Sequence, residues 1–213
     1  MKIQLALDTI RLDELVSKVT PLIEYVDILE VGTPLMMLEG MEPVRILKRH
    51  FPDKEILCDT KIMDAGAMEA RHALDAGADY ITVMGVTDNS TIQACVDTAK
   101  LYKKKVVADM LCADLKKRIP IIENLDVDYL GVHTGVDQQK NGRTPLEDLV
   151  EIKNLTKKSK IAVAGGINAD NLQAYLVYSP EILIVGGGIM ACKDPVQAAK
   201  TIYTLINRNK YEN

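Results

Sequence analysis

The chain has 213 residues, 47% of them hydrophobic and 26% charged, the balance of one large globular domain with a substantial core. Lys and Arg number 26 against 30 Asp and Glu, a net charge of −4 that argues against a nucleic-acid surface. Cys58, Cys95, Cys112 and Cys192 show no paired spacing, so zinc and disulfides are not expected. Buried free thiols in a reducing, cytoplasmic setting are expected instead. No signal peptide is expected ahead of the first apolar run, and no apolar stretch is long enough to span a membrane.

Residues 3–7 form a short apolar run ending in Asp8, and helical spacing follows over 12–23. The second run, 26–29, leads into Glu30-Val31-Gly32, with a helix predicted over 40–49. The third, 55–58, ends in Asp59-Thr60-Lys61-Ile62-Met63-Asp64. A helix over 67–76 follows and stops at Gly77. The fourth run is 80–84, with a helix over 91–102. The fifth, 105–108, ends in Asp109. It precedes a helix over 115–124 in which Pro120 marks a break or kink.

The sixth run, 129–132, ends in His133. Residues 134–143 form the longest non-periodic connection, before a helix over 146–155. The seventh run, 161–164, ends in Gly165-Gly166, with a short helix over 168–175. The eighth, 182–185, ends in Gly186-Gly187-Gly188. A helix over 195–206, with Pro195 in its first turn, leads to a polar, frayed tail over 207–213.

Apolar runs thus alternate with helical patterns at a repeat of roughly 25 residues. Continuous rather than alternating apolar strands suit a parallel sheet covered on both faces. The expected fold is a single (β/α)8 TIM barrel spanning 1–213. A doubly wound open sheet is the other reading. It usually carries a Gly-rich loop after its first strand, and Asp8-Thr9-Ile10 is not one.

In such a barrel the strand ends meet at one rim. Asp8, Glu30, Asp59, Lys61, Asp109 and His133 would gather there, a concentration of charge that a purely structural core does not need. Strand alternation sends Asp59 and Lys61 to the same side. Glu30 and Asp59 lie on adjacent strands and repel unless a cation separates them. Mg²⁺ is the economical cation for such hard oxygen donors, with Mn²⁺ possible, and a metal-free salt-bridge network around Lys61 is the alternative. His133 reads as a general acid or base, or else as a structural hydrogen-bonding residue; His50 and His72 read as surface residues on helices. Gly166, Gly187 and Gly188 would offer backbone N–H groups to a phosphate after the last two strands.

The motifs Leu-Ala-Leu-Asp8, Glu30-Val-Gly-Thr-Pro34, Asp59-Thr-Lys-Ile-Met-Asp64-Ala-Gly66, His133-Thr-Gly-Val-Asp137, Ala-Gly-Gly-Ile-Asn168 and Val-Gly-Gly-Gly-Ile189 resemble the 3-hexulose-6-phosphate synthase family. That family belongs to the orotidine 5′-monophosphate decarboxylase superfamily, and the resemblance runs in register along essentially the whole chain. It implies an aldol-type condensation of D-ribulose 5-phosphate with formaldehyde, assisted by Mg²⁺. It also implies a homodimer in which Asp64 reaches the partner's site. The sister family, 3-keto-L-gulonate 6-phosphate decarboxylase, typically has Glu at the position of Asp109 and Arg at those of Val136 and Gly187. A sugar-phosphate-binding barrel without turnover is the reading from another class. On the synthase reading, Glu30 and Asp59 hold the metal, Lys61 stabilises an oxyanion and His133 takes a proton. Asp8, Asp64 and Asp109 position Lys61 and the substrate hydroxyls.

Overall fold

The computed structural model describes residues 1–208. Its strands are β1 (Lys2–Leu7), β2 (Ile28–Val31), β3 (Glu55–Ile62), β4 (Tyr80–Met84), β5 (Lys105–Asp109), β6 (Tyr129–His133), β7 (Lys160–Ala164) and β8 (Ile182–Val185). They close in sequence order into a barrel, each parallel to its neighbours, with β1 pairing β8. The expected (β/α)8 barrel is the observed fold.

The register explains why the strands read as unbroken apolar runs. Alternate residues point into the barrel and stack in layers. Across the pairings, Lys2, Glu55, Lys105 and Lys160 lie level at the base. Ile28, Tyr80, Tyr129 and Ile182 form the next layer, and Gln4, Leu57, Val107 and Ala162 the one above. Most of these two layers form a dry inner cluster, while the outward residues, such as Leu29, Ile81, Leu130 and Leu183, join the larger core under the helices. Both faces are therefore buried. Above the dry layers the inward positions turn polar, with Glu30 and Thr82 and then Asp59 and Asp109.

The base shows a fourfold repetition. Asp27 accepts from the Ile3 N–H at 2.8 Å, Asp79 from Ile56 at 2.9 Å, Asp128 from Val106 at 2.9 Å and Glu181 from Ile161 at 2.7 Å. The N–H groups of Asp27, Asp79 and Glu181 donate back to the carbonyls of the same residues. Each acid directly precedes an even-numbered strand and clasps the start of the odd-numbered strand before it. The sequence repeats accordingly: Asp27-Ile28-Leu29, Asp79-Tyr80-Ile81, Asp128-Tyr129-Leu130, Glu181-Ile182-Leu183. An N–H at a strand start has no ladder partner, and these carboxylates supply one.

Several expected elements differ in detail. The helix expected over 12–23 splits into a 3-10 turn (Leu12–Glu14), a helix (Leu15–Val19) and a second 3-10 segment (Thr20–Tyr25) carrying Pro21. The one expected over 40–49 is preceded by another at Thr33–Glu39, ended by Gly40 at φ 62°, and itself runs Glu42–His50. Pro120 sits inside Leu115–Asn124 without dividing it. The connection 134–143 holds a short helix, Val136–Lys140, too brief to display a helical period. The helix expected over 168–175 covers only Leu172–Leu176, because Asn168 and Asn171 cap a turn before it. A further short helix, Gly187–Met190, follows β8. The last helix runs Pro195–Arg208, so the expected fraying of 207–208 is not observed, and 209–213 lie outside the described residues. The four cysteines are free, but only Cys58 and Cys95 are buried; Cys112 and Cys192 are exposed. His50 and His72 are exposed on helices. Among the described residues no helix is long and apolar enough to cross a membrane.

The clasps should contribute to stability independently of the chemistry at the other end. Asp128→Ala removes the partner of the Val106 N–H and should lower the unfolding free energy by about 1 kcal/mol. Urea denaturation reads this, and an unchanged midpoint would contradict it.

Candidate active site

The charged motif after Cys58 lies inside β3 rather than beyond its end, since β3 continues to Ile62. The pairing with β4 jumps from Cys58↔Ile81 to Ile62↔Val83, so β3 bulges across Asp59, Thr60 and Lys61. Lys61 takes φ 46°, a left-handed conformation that side chains adopt rarely. Thr82 on β4 stabilises it. The Lys61 N–H donates to Thr82 Oγ1 at 2.8 Å, and that hydroxyl donates to Asp59 Oδ1 at 2.7 Å. The Thr60 hydroxyl donates to the Thr82 carbonyl. Thr33, at the start of the helix after β2, donates to Asp59 Oδ2 at 2.9 Å. The expectation that Asp59 and Lys61 share a side holds, through a bulge rather than regular alternation.

Lys61 Nζ reaches Asp59 Oδ2 at 2.5 Å and Asp109 Oδ2 at 3.2 Å. Asp109, at the end of β5, also meets His133 Nδ1 at 2.9 Å and accepts from the Leu111 N–H. One line of contacts thus runs Asp59–Lys61–Asp109–His133 across β3, β5 and β6. Burial pulls the ammonium of Lys61 down, but the Asp59 and Asp109 charges outweigh it and hold the pKa above its ordinary value. Burial likewise opposes ionisation of Asp109, yet His133, Lys61 and the Leu111 N–H keep its carboxyl below the usual range. With Nδ1 engaged by Asp109, Nε2 is the His133 atom left for other partners.

Glu30 lies beside this line and is 7% exposed. Gln4 Nε2 donates to its Oε2 at 2.6 Å. Burial, then the Asp59 charge, push Glu30 up to about 8, with Gln4 opposing. At the open mouth, partial loss of hydration and then the Asp59 charge also raise Asp8, while Lys61 and His133 pull it down. Asp8 fits where it does because residue 32 is Gly: a Cβ there would lie 1.9 Å from Asp8 Oδ1.

The mouth therefore carries more negative charge than Lys61 alone offsets. Glu30 and Asp59 are hard oxygen donors facing one opening, which suits a divalent cation such as Mg²⁺ with its other positions filled by water or substrate oxygens. Among the described residues no three His, Cys, Asp or Glu side chains are grouped so that they could hold a metal ion together.

The glycines sit on the same rim. Gly166 takes φ 64° and its carbonyl is held by Asn171 Nδ2. Gly188 is a close approach, since a Cβ there would lie 2.1 Å from the Ile167 carbonyl oxygen; Gly187 has open space. Both lie in the first turn of Gly187–Met190, where N–H groups have no helical partner. Asp64 stands apart. It is exposed, and its carboxylate caps only the neighbouring Ala65 N–H among the described contacts. Gly32 and Thr33 stand in the sequence only as part of the motif that starts at Glu30, and Gln4 and Thr82 belong to no motif. The signal available for Gln4 and Thr82 was a lone polar residue at an inward position of an apolar strand.

A barrel with this rim defines an enzyme of the orotidine 5′-phosphate decarboxylase / HUMPS family, whose model matches residues 1–202. A curated relative from Bacillus subtilis (strain 168), named 3-hexulose-6-phosphate synthase, is 43% identical over 207 residues, 97% of this chain and 99% of the relative. The crystal structure of 3-hexulose-6-phosphate synthase from Salmonella typhimurium matches with a TM-score of 0.96 at 43% identity, covering 98% of this chain and 99% of that one. That of 3-keto-L-gulonate-6-phosphate decarboxylase from Vibrio cholerae O1 biovar El Tor matches at 0.84 and 28%, covering 97% of each. The chain belongs to this family, in its 3-hexulose-6-phosphate synthase branch.

Glu30 makes the metal-free protein sensitive to pH. Its ordinary value is 4.5 and its value in the fold about 8. Between the two, the folded chain holds a proton that the unfolded chain has released, so Glu30 makes stability fall as pH rises. The melting temperature of Glu30→Gln should therefore decline less steeply than wild type from about pH 5 to about pH 8. Equal slopes in differential scanning calorimetry would contradict the burial of this charge.

Proposed function

We propose that the enzyme joins C1 of D-ribulose 5-phosphate to formaldehyde, giving D-arabino-hex-3-ulose 6-phosphate. The carrying observation is the Asp59–Lys61–Asp109–His133 line beside the inward Glu30. It sets one fixed cation and one imidazole over a single opening. Such a pair suits a reaction that removes a proton next to a carbonyl and must stabilise the resulting oxyanion.

In this reading His133 Nε2 takes a proton from C1, and the electron pair moves onto the C2 oxygen. Lys61 faces that oxygen and stabilises its charge, held in place by Asp59 and Asp109. C1 then attacks the formaldehyde carbon, forming the new C–C bond. The former carbonyl oxygen of formaldehyde takes back the proton from His133, so no atom or electron is left over. Asp8 holds substrate hydroxyls, and the N–H groups of Gly166, Gly187 and Gly188 receive the phosphate. Glu30 and Asp59 would hold Mg²⁺, or Mn²⁺, which would supply positive charge against the negative charge that develops on the substrate. Free thiols suit work in a reducing cytoplasm.

We also propose a homodimer. Met37 and Leu38 after β2, Met63 and Met68 after β3, and Val86 after β4 are exposed apolar side chains on neighbouring connections at the rim end. Asp64 stands among them with no role in its own subunit's cluster. A second copy would cover the apolar side chains and receive Asp64 in its site.

Formaldehyde consumption with ribulose 5-phosphate should require a divalent metal and stop with chelator. The same preparation should not release CO₂ from 3-keto-L-gulonate 6-phosphate. Lys61→Ala should cost on the order of 10²–10³ in kcat. Exchange of the C1 proton with solvent, in the absence of formaldehyde, should vanish in His133→Ala. Near-wild-type turnover in the first variant, or unchanged exchange in the second, would sink the assigned role. A shared site also makes a complementation test possible. Two inactive variants, Lys61→Ala and Asp64→Ala, mixed and reassembled, should recover up to about one quarter of wild-type activity, since half the dimers are hybrids with one intact site each. No recovery in verified hybrids would exclude a site shared through Asp64.

A further inference from the structure

Gln4 is the one polar side chain in its layer of the barrel interior, level with Leu57, Val107 and Ala162. It is 1% exposed. Its Nε2 donates to Glu30 Oε2 at 2.6 Å, while its Oε1 is buried and has no hydrogen-bond partner. A buried amide oxygen without a partner is a cost to folding that an apolar side chain of the same volume would avoid. Within its own layer the amide finds no partner, and its one polar contact is the bond to Glu30. Once Glu30 is ionised, as a metal ligand must be, the amide cannot turn over, because its carbonyl would then face the carboxylate.

The reason lies above it. Asp59 is oriented by Thr33, Thr82 and Lys61. Glu30 has no such set: among the described residues, Gln4 makes the only hydrogen bond to its carboxylate. That bond ties Oε2 downward. Oε1 accepts nothing and, unlike Gln4 Oε1, is not sealed from solvent. The rotation of the Glu30 carboxylate therefore rests on one amide from the layer below.

We propose that Gln4 is a positioning residue for the cation site: it fixes the Glu30 carboxylate so that its free oxygen is presented to a divalent metal, at the expense of an orphaned oxygen in the core. This rests on the reading of Glu30 as a metal ligand. Partners that orient metal-binding side chains typically change metal affinity 10–100-fold when removed.

The test is Mn²⁺ binding to the full-length protein without substrate, read by electron paramagnetic resonance of the free ion, alongside the melting temperature of the metal-free form. Gln4→Met keeps the volume and removes the amide. Mn²⁺ affinity should fall 10-fold or more, while the metal-free form stays folded with a melting temperature lowered by no more than about 4 °C, the scale of one lost hydrogen bond. Should Gln4→Met not fold, Gln4→Asn, which withdraws the amide by one methylene, carries the same expectation for affinity. Wild-type affinity in the folded variant would overturn the positioning role and leave the metal site standing. Wild-type protein that takes up no Mn²⁺ would overturn the metal site itself, and this role with it.

Discussion

Lys61 can stand between Asp59 and Asp109 only because β3 leaves its regular path. A strand that kept its ladder would pair Lys61 with β4 through the backbone. Here the Lys61 N–H turns to a threonine hydroxyl, and the residue takes a left-handed conformation. Backbone in that region costs of order 1–3 kcal/mol and persists only where its surroundings hold it. Thr82 does so by serving the backbone of Lys61 and the side chain of Asp59 with one hydroxyl. The ammonium is then fixed by two carboxylates before any ligand arrives. A cation oriented in advance has less reorganisation left to make when negative charge develops beside it.

The layers beneath make this arrangement tolerable. Charges at the mouth would be expensive inside the dry barrel, but they begin only above Leu57, Val107 and Ala162. The aromatic pair Tyr80 and Tyr129 fills the width below, with ring centres 5.9 Å apart. Gln4 marks the boundary, since its amide carries a hydrogen bond up to Glu30 from a layer that is otherwise apolar.

The fold was legible because both faces of every strand are buried, so the apolar runs are continuous and their ends stand out. Asp8, Glu30, Asp109 and His133 could be read as rim residues on that ground alone. Lys61 and Asp59 came together as expected, though the reason differs: simple alternation does not foresee a left-handed residue within a strand. Thr82, and the contact of Thr33 with Asp59, could not be foreseen because a threonine in or beside an apolar run is ordinary β-strand composition. The helix Val136–Lys140 escaped because five residues cannot show a 3.6-residue period. Asp64 was read from resemblance, and its own subunit gives it nothing to do.

Acidic residues crowd both ends of the barrel, and the direction of the strands decides what becomes of them. Because the strands are parallel, strand starts present unpaired N–H groups at the base, and strand ends present unpaired carbonyls at the mouth. At the base Asp27, Asp79, Asp128 and Glu181 find donors in the strands themselves. Burial works against Asp79 there, but Lys104, the Ile56 N–H and Lys48 together hold its carboxyl low. At the mouth the backbone offers carbonyl oxygens, which cannot donate to a carboxylate. Asp59 and Asp109 are compensated by Lys61, His133 and a few side-chain and loop donors, and Glu30 and Asp8 are pushed up. The same side chains are therefore structural at one end and short of positive charge at the other. A shortage of positive charge built into strand polarity at the C-terminal ends is what the proposed cation would answer there.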